Sequence, residues 1–352
     1  MKMLSRTVDG KLQCTACSWY CKIPEGQAGV CGVRVNEKGR LKLTVYGRPC
    51  AVNIDPIEKK PLFHFLPGSK SFSIGTFGCN YQCGHCQNWD ISQAPHEARE
   101  KDPARWRKFF ESIIKNCEEW PPERVVDEAA RSGCESISFT YNEPTIFTEY
   151  ALDVMKLARK KGLKGVYVTN GYESKECWDA IKGSIDAVNI DLKAFTERFY
   201  RETCRVPSIG PVKESIRRAK EMGFWVEVTT LFIPGLNDSE KEMKDIASFL
   251  AGIDKEMPWH ATAFYPAYKL MDKEPTPPET LVRAREIGLA AGLKHVYCGN
   301  VSASYSEYET TYCPNPECGK PLIKRVYFSV EKDDIKGGKC RFCKTPVNGV
   351  WR

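Results

Sequence analysis

"TFGCNYQCGHCQNWD", residues 76–90, sets Cys79, Cys83 and Cys86 within eight positions, with glycines beside and between them. The spacing C-x3-C-x2-C offers three thiolates, where a closed structural metal site takes four protein ligands. Just before it runs "SFSIGTF" (71–77), β-branched and aromatic enough to read as a strand.

Similar runs recur at "SISFTY" (136–141), "GVYVTN" (165–170), "AVNIDL" (187–192), "FWVEVTTLF" (224–232) and "HATAFY" (260–265), with "HVYCGN" (295–300) as a candidate seventh. The segments between them, such as "PTIFTEYALDVMKLARKKG" and "PPETLVRAREIGLAAG", space apolar residues by three and four and end in glycine, as helices do. Alternating strands and helices predict an α/β fold with a parallel sheet wrapped by helices, and about six units make a partial (β/α)6 barrel. Each unusual motif falls just after a strand: the cysteine trio, then "NEPT", "TNGY", "DLKAF", "IPGLND" and "YPAY". In a parallel barrel these positions converge on one rim, where active sites are built.

With 352 residues the chain can bury a full-sized core. Its 52 basic and 45 acidic residues give a net charge of +7 without blocks of one sign, so nucleic-acid binding is not indicated. "MKMLSRTVDGKLQC" lacks the apolar core of a secretory signal, and no stretch approaches the roughly 18 apolar residues of a membrane span. The expectation is a cytoplasmic protein without a membrane partner. In such a chain 17 cysteines point to metal binding rather than disulfides. They fall into three groups: Cys14, Cys17, Cys21 and Cys31; Cys79, Cys83 and Cys86; Cys313, Cys318, Cys340 and Cys343. Cys50, Cys117, Cys134, Cys177, Cys204 and Cys298 stand alone and read as small buried hydrophobes.

Three thiolates on a 4Fe-4S cluster leave one iron open to a ligand or substrate, whereas four close it. Zinc is the competing reading for the trio, with His85 lying between two of the cysteines. The barrel-rim placement favours the open cluster.

"CNYQCGHC" after the first barrel strand resembles the cluster motif of radical S-adenosylmethionine (SAM) enzymes, with His85 in the place of the aromatic residue before the last cysteine. The resemblance spans essentially the whole chain. "DPIEKKPLFHFLPG" (55–68), "FTYNEPTIFTEY", "VTNGY", "NIDLKAF" and "TYCP…CGK…GKCRFCKTPVNGVW" follow in the order of one branch, the AmmeMemoRadiSam system radical SAM enzyme, a relative of pyruvate formate-lyase activating enzyme. It implies a radical SAM barrel in which a reduced cluster cleaves SAM to methionine and a 5′-deoxyadenosyl radical, which abstracts hydrogen from a substrate. The partners implied are SAM, an electron donor and an unidentified substrate. A glycine of a partner protein is the alternative that the activating enzymes bring.

Residue by residue, the resemblance gives Glu143 the methionine amino group of SAM, Asp191 and Lys193 the ribose and carboxylate, and His85 the adenine. Asn170 is a weaker contact, since "NG" is also an ordinary turn. Bland readings stand beside these. Glu143 can simply begin a helix with Pro144 in its first turn, and Asp191 with Lys193 can be a solvated ion pair. Asn142 is left undecided between helix start and site.

Cys313, Cys318, Cys340 and Cys343 form two turn-rich knuckles that predict a zinc ribbon, although C-x4-C replaces the family's usual C-x2-C. At the N-terminus, Cys14, Cys17, Cys21 and Cys31 suit a second Fe-S cluster or zinc equally. The stretch 102–120 carries Trp106, Phe109, Phe110, Ile113, Ile114, Cys117 and Trp120 at helical spacing, a face expected to pack on its own domain. The predicted organisation is an N-terminal Cys-rich segment (1–67), a radical SAM partial barrel (68–305) and a C-terminal zinc ribbon (306–352). A non-catalytic iron and zinc protein is the reading of another class, and it requires a basic, aromatic-rich surface that the sequence does not display.

Overall fold

The computed structural model describes residues 3–352. Seven parallel strands, Lys70–Gly75, Ser136–Phe139, Lys164–Thr169, Ala187–Asp191, Trp225–Phe232, Trp259–Ala263 and Val296–Gly299, lie side by side in chain order in one sheet. The six expected strands are all there, and the candidate seventh completes the parallel set. Crossover helices Pro122–Arg131, Thr148–Ala158, Lys175–Ile181, Gly210–Glu221, Glu240–Ile253 and Pro278–Ala290 return the chain between them. The eighth strand of the sheet, Ala51–Pro56, runs antiparallel to the first parallel strand and was not anticipated. A long connection separates the two, so no short hairpin turn announces the pairing.

Period-two alternation sorts the strands' side chains. Ser71, Ser136 and Ser138 meet on one face, with Ser71 Oγ 2.6 Å from Ser138 Oγ. Phe72, Ile74, Ile137 and Phe139 alternate with them and join the main apolar core. A polar barrel lining inside an apolar shell is the result.

Helix Trp106–Asn116 buries Trp106, Phe110 and Ile114, as a packed amphipathic helix does. Phe110 sits 5.4 Å from Phe77 in the loop that carries the cysteine trio, while Phe109 on the other side is 61% exposed. The helix therefore walls that loop.

The chain between the edge strand and the first parallel strand forms a strap. Phe63 N and His64 N donate to the wholly buried Glu227 carboxylate at 2.9 and 2.8 Å. Trp225 Nε1 also donates to it at 2.9 Å, and His260 Nε2 lies 2.6 Å away. From its other side the strap meets the C-terminal residues: Leu66 N donates to Val350 O at 2.8 Å and Val350 N to His64 O at 2.7 Å. Arg325 Nη2 adds a bond to Phe63 O at 2.6 Å. The terminal Cys-rich module is thus tied to the barrel through the strap.

Glu227→Ala should leave two buried backbone N–H groups without acceptors. Loss of about 3–5 kcal/mol in urea unfolding is expected, with new proteolytic cleavage in the strap. A loss below about 1 kcal/mol would show that the strap is held by something else.

Candidate functional site

At the C-terminal ends of the parallel strands lies a cavity of about 490 Å³, within the range of ligand pockets. Cys79, Cys83, His85 and Cys86 line it from the first loop, Glu143 from the second, Asn170 from the third, and Asp191 and Lys193 from the fourth. "IPGLND" and "YPAY" are not in its wall; Thr229, Leu231 and Thr262 of the preceding strands are. The "IPGLND" turn braces the site from behind, since Asn237 Nδ2 donates to Lys193 O at 2.6 Å and to Leu231 O at 2.9 Å.

Asn142 resolves to a clamp on the cysteine loop. Its Oδ1 accepts from Thr76 N at 3.1 Å, and its Nδ2 donates to Thr76 Oγ1 at 3.0 Å and Gly78 O at 2.8 Å. His96 Nε2 holds Cys79 O at 2.9 Å. Gly78 has φ +94°, and a Cβ there would meet Cys31 O at 2.6 Å, so this position needs glycine both for its backbone and for the close approach of the N-terminal segment.

The trio's sulfurs do not gather as tightly as ligands of a single ion. Among the described residues, only Cys313, Cys318, Cys340 and Cys343 place three or more ligand atoms within 4.8 Å of one another. A tetrahedral ion with metal–sulfur bonds of ~2.3 Å would hold its thiolates about 3.8 Å apart. The wider trio fits a polynuclear centre with one unligated corner. Hydrogen bonding from the Cys204 thiol, with Lys193 nearby, holds Cys83 below the ordinary thiol range in spite of burial. Cys204 is buried as expected, and its effect on Cys83 is one that no spacing rule reveals. Burial pushes Cys86 up to about 11, and burial with Glu143 beside it raises Cys79. His85 is neutral, lowered to about 3 by burial and by Lys193, and its buried Nδ1 has no partner within the chain.

Glu143 does cap the turn that follows it, accepting from Thr145 N at 2.9 Å. Its Oε1 also takes the hydroxyls of Thr145 and Thr169 at 2.6 and 2.9 Å, and its Oε2 takes Asn170 N at 2.8 Å. Behind it lies Glu173, whose Oε1 is 2.5 Å from the same Thr169 Oγ1. One hydroxyl carries one proton, so it can donate to only one of the two carboxyls. Burial first, then Glu143, push Glu173 up to about 8, and burial raises Glu143 as well, so the two buried carboxyls favour a shared proton. The Asp191–Lys193 pair closes at 2.7 Å in the cavity wall, with side chains 33% and 15% exposed, so it is not the fully solvated pair of the bland reading. Asn170 Nδ2 donates to Asn80 Oδ1 at 2.7 Å.

In the terminal quartet, Cys313 Sγ lies 3.5 Å from Cys343 Sγ and Cys318 Sγ 3.9 Å from Cys340 Sγ, a single-ion spacing. The longer C-x4-C knuckle is absorbed by a turn in which Cys318 N and Gly319 N both donate to Asn315 O, at 3.0 and 2.9 Å. The N-terminal four, Cys14, Cys17, Cys21 and Cys31, line a second, small cavity.

Residues 73–250 match the Radical SAM superfamily model. An uncharacterised protein of Methanocaldococcus jannaschii is 41% identical over 345 residues, covering 97% of this chain and 96% of its own. A putative glycyl-radical enzyme activating enzyme of the same organism is 24% identical over 243 residues, covering 67% and 81%. A solved domain of a pyruvate-formate lyase-activating enzyme from Bacteroides vulgatus aligns with a TM-score of 0.41 and 24% identity over 46% of this chain and 98% of its own.

The shared proton makes a test of the buried carboxyl pair. Glu173 has a folded pKa above its ordinary value of 4.5, so the folded state binds more protons, and its contribution to stability is lost as pH rises from about 4.5 through about 8. Glu173→Gln, which keeps a neutral donor, should therefore gain stability relative to wild type between pH 5 and pH 9 in urea melts. A wild-type-to-variant difference that stays constant across that interval would contradict the assignment.

Proposed function

Since this chain belongs to the radical SAM superfamily, we propose that Cys79, Cys83 and Cys86 ligate its 4Fe-4S cluster and that the other cavity-lining residues hold SAM on the remaining iron. The protein is a radical SAM enzyme, and it acts by hydrogen abstraction from a substrate still to be identified. When bound, the reduced cluster and SAM supply methionine and the 5′-deoxyadenosyl radical. The observation that carries the residue assignment is that three thiols of one pinned loop share a single cavity with Glu143, Asn170, Asp191 and Lys193.

The chain's own groups divide the work by chemistry. Glu143, oriented by Thr145, Thr169 and Asn170, retains acceptor capacity on Oε2 for the amino group of SAM. Lys193 is a donor for the methionine carboxylate and Asp191 an acceptor for ribose hydroxyls. Neutral His85 offers an uncharged ring face and a free Nδ1 to the adenine. Asn170, through Asn80, keeps the third loop against the cysteine loop. The buried rim excludes water from the reacting centre.

The motif order supports the AmmeMemoRadiSam branch. Activation of a partner protein at a glycine is the second reading, favoured by similarity to a putative glycyl-radical enzyme activating enzyme. Zinc is the ion proposed for Cys313, Cys318, Cys340 and Cys343, because four thiols at tetrahedral spacing match its preference. No described helix is long and apolar enough to cross a membrane. A cytoplasmic place with an external electron donor fits this reading.

Anaerobically reconstituted protein given dithionite and SAM should form methionine and 5′-deoxyadenosine, and serine at Cys79, Cys83 and Cys86 together should abolish this. Glu143→Gln and Asp191→Asn should keep the cluster's absorbance while weakening SAM binding about 10- to 150-fold. Unchanged turnover in the triple variant would overturn the cluster assignment, and normal affinity in both others the SAM contacts. Serine at Cys313 and Cys318 should remove one zinc and lower the melting temperature, because a structural ion contributes to folding directly. Loss of iron with zinc retained would reverse that assignment.

A further inference from the structure

We propose that Cys14, Cys17, Cys21 and Cys31 hold a second iron–sulfur cluster, closed by four thiolates, with Asn80, the residue after Cys79, in its wall. Cys14 ends the hairpin of Ser5–Val8 with Lys11–Cys14, and Cys17, Cys21 and Cys31 follow it in the irregular segment before the hairpin of Arg34–Glu37 with Arg40–Leu43, yet all four line one cavity. No three of their sulfurs lie within 4.8 Å of one another, whereas the terminal quartet meets that limit. A zinc ion would draw its thiolates to about 3.8 Å separation, so convergence without that closeness marks a polynuclear centre.

The surroundings suit an anionic centre. Arg34, 2% exposed, lines the cavity and is fixed by Nε to Ile146 O at 2.8 Å and by Nη1 to Glu149 Oε1 at 3.0 Å. Arg99 donates to the carbonyl of Gly29, another lining residue, at 3.2 Å. Asn80, 1% exposed, lines the same cavity. Its Oδ1 is occupied by Asn170, but its buried Nδ2 has no partner within the chain. An amide donor left over beside a cluster is what hydrogen bonding to cluster sulfur uses, and such bonds tune reduction potential.

Asn80 is also the residue after Cys79, and its carbonyl accepts from Trp19 Nε1 at 2.9 Å. Asn80 thus lines the four-cysteine cavity and is joined directly to Cys79, which lines the other. With every iron closed, the centre's chemistry is one-electron transfer. One electron enters from an external low-potential donor and one leaves across Asn80, with no bond made or broken. This relay role, though not the site itself, rests on the assignment of the first cluster above.

Full-length protein reconstituted anaerobically with ferrous iron, sulfide and zinc should carry about eight irons and one zinc. Serine at Cys79, Cys83 and Cys86 should leave about four irons and an electron paramagnetic resonance signal that SAM does not move. About four irons with two zincs in wild type, or no iron in that triple variant, overturns the proposal. Serine at Cys14 and Cys31 should keep the SAM-responsive signal but lose the fast phase of its reduction by a low-potential flavoprotein; an unchanged rate overturns the relay. If that variant fails to fold, the iron count of the triple variant still decides the site. About eight irons in wild type with no SAM-responsive signal supports the second cluster and counts against the first site's reading.

Discussion

A loop that carries three thiols to one corner of a cavity works only while its backbone stays in place, and the side-chain amide of Asn142 holds it. Three hydrogen bonds from one buried amide fix Thr76 and Gly78, on the approach to Cys79. The next residue, Glu143, joins the same turn to the third loop through Thr169 and Asn170. Asn170 returns through Asn80 to the cysteine loop. The circuit is closed on itself. Its members are buried, so breaking one bond leaves a partner unsatisfied rather than rehydrated.

The N-terminal and C-terminal Cys-rich segments are both fastened to this rim. The N-terminal segment docks through Arg34 on Ile146 and Glu149, just beyond Glu143, and through Ser18 N on Tyr172 O at 2.8 Å. The C-terminal residues hold the strap whose Phe63 and Lys60 line the same cavity. The N-terminal and C-terminal segments therefore both brace the barrel mouth. Burying so many charged groups is tolerable because they are paired: Lys60 with Asp55 at 2.7 Å, Arg34 with Glu149, and Glu227 with its ring of donors.

Period and spacing made much of this legible. The six strands, the helices between them and the convergence of four motifs on one rim follow from patterns of two and of three to four residues. The edge strand Ala51–Pro56 escaped because its partner lies beyond a long strap, and tertiary pairing leaves no local mark. Asn142 was ambiguous for a different reason: an asparagine at a strand end serves equally as helix start, turn or clamp, and only the positions of Thr76 and Gly78 choose. Cys204, Glu173 and Asn80 were invisible, since each matters through a neighbour distant in sequence. The N-terminal quartet was half legible: its four cysteines are plain in the sequence, but that spacing suits zinc and a cluster equally, and only the fold shows that they line one cavity.

The central claim is that SAM is held by its methionine end on the one iron that Cys79, Cys83 and Cys86 leave open. Electron–nuclear double resonance of the dithionite-reduced protein, with SAM labelled by nitrogen-15 at the amino group, reads that contact directly. A strong nitrogen-15 coupling to the cluster, absent in the triple serine variant, is the result this account predicts. A reduced cluster signal with saturating labelled SAM and no such coupling would contradict it.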